Sequence, residues 1–258
     1  MEEQWQDDTE EKRPPSIMPW GAWATSGLGL LIFAVFLAVQ AVVVVGAGLI
    51  TVWFNPGADD AVVTRRLVGD GDILALATVA TALVGVTLIR LLIGAYRHPL
   101  RTTYLGLIPV PVRTLFVWLV MGLLFALLCD LLSQWAGRPS VPDFMIQTYT
   151  SANLKPLLWV ALIVAAPIFE EIFFRGFLYT GFAASRLGPY GAIALIALIW
   201  SVIHLQYDPF DMGIIFLIGL LFGLARLRSG SLYPPLLMHA GINFMAVFQA
   251  MTALGDSR

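Results

Sequence analysis

The sequence predicts an all-α, polytopic transmembrane helical bundle with about seven spanning helices, six to eight depending on how its longest apolar runs are divided. Three observations predict it. Of 258 residues, 59% are hydrophobic and only 12% are charged, about half the charged share of a soluble domain. The mean hydropathy is +0.82. The apolar residues lie in long runs separated by polar loops, and several runs reach the roughly 20 residues that cross a hydrocarbon core.

The elements follow in order. Residues 1–19, MEEQWQDDTEEKRPPSIMP, are polar and acidic with no apolar period, which predicts a disordered tail. The apolar run after them is longer than a signal-peptide h-region, which predicts a retained first helix over 21–54. The loop NPGADDAVVTRRLVGDGD leads to a second helix over 73–96, closed by the basic stretch YRHPLR. A third helix covers 112–134. The polar stretch WAGRPSVPDFMIQTYTSANLK then has room for a short surface helix. Four more apolar helices cover 156–182, 190–206, 212–227 and 232–254. The chain thus divides into a tail (1–19), N-terminal transmembrane helices (20–135), a polar link (136–155) and a transmembrane core (156–254).

Charge excludes some functions and orients the chain. A net charge of −2 gives no electrostatic basis for binding nucleic acid. The single cysteine, Cys129, lies in an apolar run and makes neither an intrachain disulfide nor a cysteine-rich metal site. Lys and Arg concentrate on the cytoplasmic side of membrane proteins. With the tail inside, the inner segments hold Lys12, Arg13, Arg97, Arg101, Arg113, Arg186, Arg226 and Arg228. The outer ones hold Arg65, Arg66, Arg138, Lys155 and Arg258. Eight against five favours an N-terminus inside.

Ionisable residues within apolar spans are costly and mark function. Arg90 and Asp130 lie near helix ends, where an interfacial place serves them. His98 sits in a basic loop. The rest are Glu170, Glu171, Arg175, His204 and His239. Glu171 and Arg175 are four apart, share a face and can pair. Glu170, one residue earlier, points about 100° away and is expected to face a polar cavity. Pro167 removes a backbone hydrogen bond and can open the helix there.

In WSVIHLQ, Trp200 and His204 are four apart, as are His239 and Asn243 in PPLLMHAGINF. His and Asn both donate hydrogen bonds and suit a developing negative charge. Counted from the inner ends, Glu170 is roughly 18 Å deep, His204 roughly 21 Å and His239 roughly 12 Å. Three distant segments meeting in one buried polar pocket is what a catalytic site requires. A transporter or proton relay also uses such residues, but no internal repeat is evident.

The ordered triple E-E-x-x-x-R, aromatic-x-x-x-H and H-x-x-x-N resembles one family. It is the CAAX-protease and bacteriocin-processing family, also called type II CAAX prenyl endopeptidases or the Abi family. The residues that carry the resemblance are Glu170-Glu171-Ile172-Phe173-Phe174-Arg175, Trp200 with His204, and His239 with Asn243. Trp200 departs from the family's usual Phe.

The resemblance implies an intramembrane endopeptidase acting on peptide or lipidated protein substrates among membrane lipids. Glu170 would activate water, and His204 would hold that water or shuttle its proton. His239 and Asn243 would stabilise the oxyanion, with Glu171 and Arg175 bracing the helix. It also implies a bacterial plasma membrane as the setting. The family carries a metalloprotease label. No metal is required by the sequence, yet Glu170, His204 and His239 are a donor set that Zn²⁺ accepts. A catalytically silent member serving as an immunity protein or membrane scaffold is the alternative.

Other intramembrane proteases match less well. H-E-x-x-H does not occur, so a site-2-type zinc protease lacks its motif. Ser231 in SGSLYPP does not fit a rhomboid serine. VGDGD at 68–72 resembles the presenilin-type G-x-G-D, but a turn and helix N-cap explain it.

Overall fold

The computed structural model describes residues 20–57, 67, 69–95 and 101–255. The expected tail at 1–19 and the basic stretch around His98 lie outside the described residues. Among the described residues there are helices and connections and no strand. In chain order the helices are α1 (Ala22–Phe54), α2 (Gly71–Ala95), α3 (Arg101–Leu105), α4 (Val112–Trp135), α5 (Asp143–Ser151), α6 (Lys155–Ala183), α7 (Gly188–Val202), α8 (Pro209–Ser229) and α9 (Tyr233–Gly255).

Six of these, α1, α2, α4, α6, α8 and α9, are long and apolar enough to cross a membrane. The seventh expected span, α7, has 15 residues, too few for a full crossing at about 1.5 Å per residue. It was expected to continue to residue 206. Instead the helix ends at Val202 in a tighter turn, with the His204 N–H donating to Ser201 O, and Asp208 caps α8 by accepting from the Phe210 and Asp211 N–H groups. The link holds the short helix α5.

Lipid explains the outer surface. In α1 only Thr25, Gly29 and Ile32 are buried, while Leu30, Leu37, Val42 and Leu49 are exposed. Comparable apolar faces on α4 and α9 are exposed too. Such continuous apolar surface is unfavourable in water and at home in hydrocarbon. The protein is a multi-pass integral membrane protein.

Packing places α6 at the centre. It touches α2 and α9 over much of its length and α3 and α7 along its C-terminal half, while α1 pairs with α2, α4 with α9 and α7 with α8. Phe169, Phe173 and Phe177 recur every four residues along α6 and stack in a ladder with centroids 5.8 and 6.5 Å apart. Phe36 of α1 extends the ladder at 5.7 Å. On α8, Gly219 and Gly223 form a small-xxx-small stripe of the kind that lets membrane helices approach closely. A Cβ on Gly223 would lie 2.6 Å from Ile193 Cγ2 on α7. That approach carries the C-terminal end of α7 against α6.

Asp72 ties the link to the bundle, and Asp70 starts the helix that carries it. Asp70 caps α2 by accepting from the Asp72 and Ile73 N–H groups. Asp72 accepts from the Asn153 and Leu154 N–H groups at the start of α6. Of the two carboxylates of VGDGD, one is thus occupied as a cap and the other by the backbone before α6.

Candidate active site

The backbone of α6 departs from α-helical geometry at two places. Residues Ala161–Ala165 and Glu171–Leu178 adopt the wider i, i+5 pattern, a feature frequent at functional sites. In the first segment the Ala166 N–H donates to Ala161 O. The next donor in that register would be residue 167, aimed at Leu162 O. Pro167 has no N–H. Asn243 Nδ2 takes the place, donating to Leu162 O at 2.7 Å. The proline therefore leaves an orphan carbonyl that fixes the Asn243 side chain.

The second wide segment starts at Glu171 and is buried throughout. Arg175 donates to Glu171 Oε1 at 3.0 Å and to Gly219 O at 3.2 Å. Its guanidinium lies 4.5 Å from the Trp200 ring centroid and 5.2 Å from that of Phe222. Glu171 and Arg175 are 0% and 1% exposed, so neither charge is solvated and each depends on the other. Arg226 of α8 donates to Arg175 O at 3.1 Å, holding the widened turn from behind.

Glu171 has a second partner. His239 Nδ1 donates to the same Oε1 at 2.9 Å, because a carboxylate oxygen only accepts. This leaves His239 Nε2 for other contacts. His204 is held likewise: its Nδ1 donates to Trp200 O at 2.6 Å, leaving Nε2 with a free lone pair in the neutral ring. His204 lies just beyond the end of α7, and its N–H donates to Ser201 O. Its ring still reaches Trp200 edge to face, at 5.1 Å.

Glu170 is half-buried and faces away from Glu171. Its Oε2 accepts from Trp200 Nε1 at 2.6 Å. Glu170, Trp200, His204, His239 and Asn243 line a single cavity of about 350 Å³. The structure thus brings together residues from α6, the α7–α8 turn and α9. Glu171 and Arg175 stand directly behind them.

Several contributors have no signal in the apolar runs that surround them: Phe36 and Gln40 of α1 and Thr78 and Thr81 of α2 also form the cavity wall. Asp130 of α4, expected at the interface, lines the same cavity instead. Asp130 accepts from Gln134 and Gln249 amides at 3.2 and 3.3 Å. At the mouth, Tyr207 packs edge to face on Phe144 at 5.5 Å and lies 6.2 Å from the His204 ring. Burial, then the Asp211 and Glu170 carboxylates, push the Tyr207 phenol above its ordinary range, so it stays a neutral donor. Its position three residues after His204 was the one available clue. Arg138 pairs with Asp208 across the same mouth and lies over the Phe210 ring at 4.7 Å.

A zinc centre on Glu170, His204 and His239 would need three donors converging on one point at about 2 Å. Among the described residues no three His, Cys, Asp or Glu side chains are gathered in that way. The arrangement as it stands does not fit a zinc ion.

Residues 152–245 match the family model described as Type II CAAX prenyl endopeptidase Rce1-like. A curated protein of Escherichia coli, described as an uncharacterized 24.3 kDa protein, is 31% identical over 113 residues, which is 42% of this chain and 52% of that protein. The chain thus spans about half the length of the curated relative it matches. No solved structure matches the chain. The stretch that is similar to the Rce1-like type II CAAX prenyl endopeptidase model, residues 152–245, takes in Glu170, Glu171, Arg175, Trp200, His204, His239 and Asn243.

Proposed function

We propose that the protein is an intramembrane endopeptidase that hydrolyses peptide bonds of membrane-associated or lipidated, CAAX-like substrates. The observation that carries this reading is the meeting of a half-buried carboxylate, two oriented imidazoles and an oriented amide in one largely apolar cavity. Glu170 accepts a proton from a water molecule that His204 Nε2 also holds. The resulting hydroxide attacks the scissile carbonyl carbon. The oxyanion that forms is received by His239 and Asn243. Asn243 keeps a second Nδ2 hydrogen free for it after donating to Leu162 O. The proton taken up by Glu170 then passes, directly or through His204, to the departing amine, and the products are a carboxylic acid and an amine.

Charge supports the role of His239. Donation from its Nε2 requires the imidazolium, since Nδ1–H is engaged by Glu171. An imidazolium there has as its counter-charge the Glu171 carboxylate, whose Oε1 it shares with Arg175. The eight-to-five Lys and Arg bias favours an N-terminus inside if residues 188–208 together carry the chain from one face to the other, which the pairing of Asp208 with Arg138 just beyond α4 supports.

The test is cleavage of an internally quenched peptide ending in a farnesylated CAAX sequence, by protein reconstituted in lipid nanodiscs. Glu170→Ala is expected to abolish cleavage, and His204→Ala to lower kcat about 10²–10⁴-fold. Activity is expected to survive exhaustive chelation, with no stoichiometric metal found in the purified protein. Equal cleavage by wild type and Glu170→Ala would overturn the assignment.

A further inference from the structure

Trp200 touches every polar group that the proposed reaction uses except Asn243. Its Nε1–H donates to Glu170 Oε2 at 2.6 Å, and its backbone oxygen accepts from His204 Nδ1 at 2.6 Å. Its ring lies edge to face with His204 at 5.1 Å and with His239 at 5.5 Å. Arg175 lies 4.5 Å from its centroid. The side chain is 4% exposed, so water does not compete for the indole N–H.

From this geometry we propose that Trp200 is a positioning residue for the Glu170 carboxylate, acting through its indole N–H rather than through its aromatic bulk. The proposal rests on the reading of Glu170 as the general base. Among the described residues the indole makes the one hydrogen bond to this carboxylate. A glutamate side chain has three rotatable bonds, and a base must hold one oxygen within hydrogen-bond reach of the water it deprotonates. Tying Oε2 to a rigid, buried donor fixes the rotamer and turns Oε1 toward the cavity.

The Arg175 guanidinium against the ring adds to this. A cation over an indole face draws on its π-electrons, which makes the N–H a stronger donor. Linked hydrogen bonds and ion pairs in a low-dielectric site polarise one another in this sense. Arg175 is therefore connected to both glutamates: directly to Glu171, and through Trp200 to Glu170. Phenylalanine at this position keeps the ring contacts and loses the donor. That separates the two roles that an aromatic residue can play here.

Two measurements test the proposal. The first compares wild type, Trp200→Phe and a variant with benzothienylalanine at 200, an indole isostere that lacks the N–H, on the farnesylated quenched peptide. Both replacements are expected to lower kcat about ten- to a hundredfold, as for a lost hydrogen bond to a charged group, with KM within about twofold. In a Glu170→Gln background Trp200→Phe is expected to have no further effect on residual activity. Wild-type kcat in the benzothienylalanine protein would overturn the proposal.

The second measurement needs no turnover. In protein labelled with ¹⁵N-tryptophan, the Trp200 indole resonance, assigned by its loss in Trp200→Phe, is expected to move upfield in Glu170→Ala. An unmoved resonance would overturn the contact itself. A moved resonance in a wild-type protein that cleaves nothing would keep the contact and sink the reading of Glu170 as a base, and with it the positioning role.

Discussion

The carboxylate of Glu171 lies 3.0 Å from Arg175 and 2.9 Å from His239 Nδ1, both through Oε1. One oxygen thus neutralises a buried cation and aims a site imidazole. The two roles separate by substitution. Glu171→Gln leaves Arg175 buried without a counter-charge and is expected to destabilise the protein by about 3–5 kcal/mol, seen as a lowered thermal midpoint in nanodiscs. Replacing both partners by apolar residues of similar size, Glu171→Leu with Arg175→Met, is expected to recover much of that midpoint. Activity is expected to stay low in the double variant, because His239 has then lost its orienting acceptor.

The bond from Asn243 to Leu162 O exists because Pro167 donates nothing. Pro167→Ala supplies an N–H to the same stretch of α6. It is expected to close the i, i+5 segment, to hold or raise thermal stability, and to lower kcat by freeing the Asn243 amide. Asn243→Ala is expected to lower kcat about 10²–10³-fold, the range for loss of one oxyanion donor. A Pro167→Ala protein with wild-type kcat would show that the orphan carbonyl has no part in placing Asn243.

Arg138 pairs with Asp208 at the cavity mouth, and Asp211 lies 3.9 Å away. Both partners of the pair are about a third or more exposed, so the pair contributes no more than about 1 kcal/mol to stability. Arg138→Ala is expected to leave the thermal midpoint nearly unchanged. It also releases the 136–142 segment from the turn that carries His204 and Tyr207. The expected result is a change in KM with kcat held, measured on the farnesylated peptide. A fall in kcat at constant KM would show instead that the clamp fixes His204.

The apolar runs were enough to place six long helices, because a bilayer demands length and composition more than sequence detail. Four-residue spacing was enough to bring Glu171 within reach of Arg175, since neighbours on one helix need no tertiary information. Contacts between helices were harder to read. Nothing in the spacing of Trp200 points its N–H at Glu170, thirty residues away. As an aromatic it reads as a conservative exchange for Phe, and only the packed structure shows the donor in use. The end of α7 was also hidden, because VIHLQ continues the apolar run past Val202, where the helix stops. Phe36, Gln40, Thr78 and Thr81 enter the cavity wall from helices that read as featureless, since which face of an apolar helix turns inward is decided by its neighbours.

The close approach of α7 and α8 supports the Trp200 contact, and it rests on a missing side chain. A Cβ on Gly223 would lie 2.6 Å from Ile193 Cγ2 and 2.9 Å from its Cγ1. Gly223→Ala is therefore expected to force the helices apart and cost about 1–3 kcal/mol, the usual range for overpacking. The clash is with the branched end of one side chain, so removing that end gives room. Ile193→Ala alone opens a void and is expected to destabilise as well. The double variant Gly223→Ala with Ile193→Ala is expected to be more stable than the sum of the single costs, with a coupling of at least about 0.5 kcal/mol. Thermal midpoints of the four proteins give the cycle. The Trp200 indole resonance reports whether α7 has moved: it should shift in Gly223→Ala and return in the double variant. Additive midpoints with an unshifted resonance would show that α7 and α8 tolerate the extra methyl without moving.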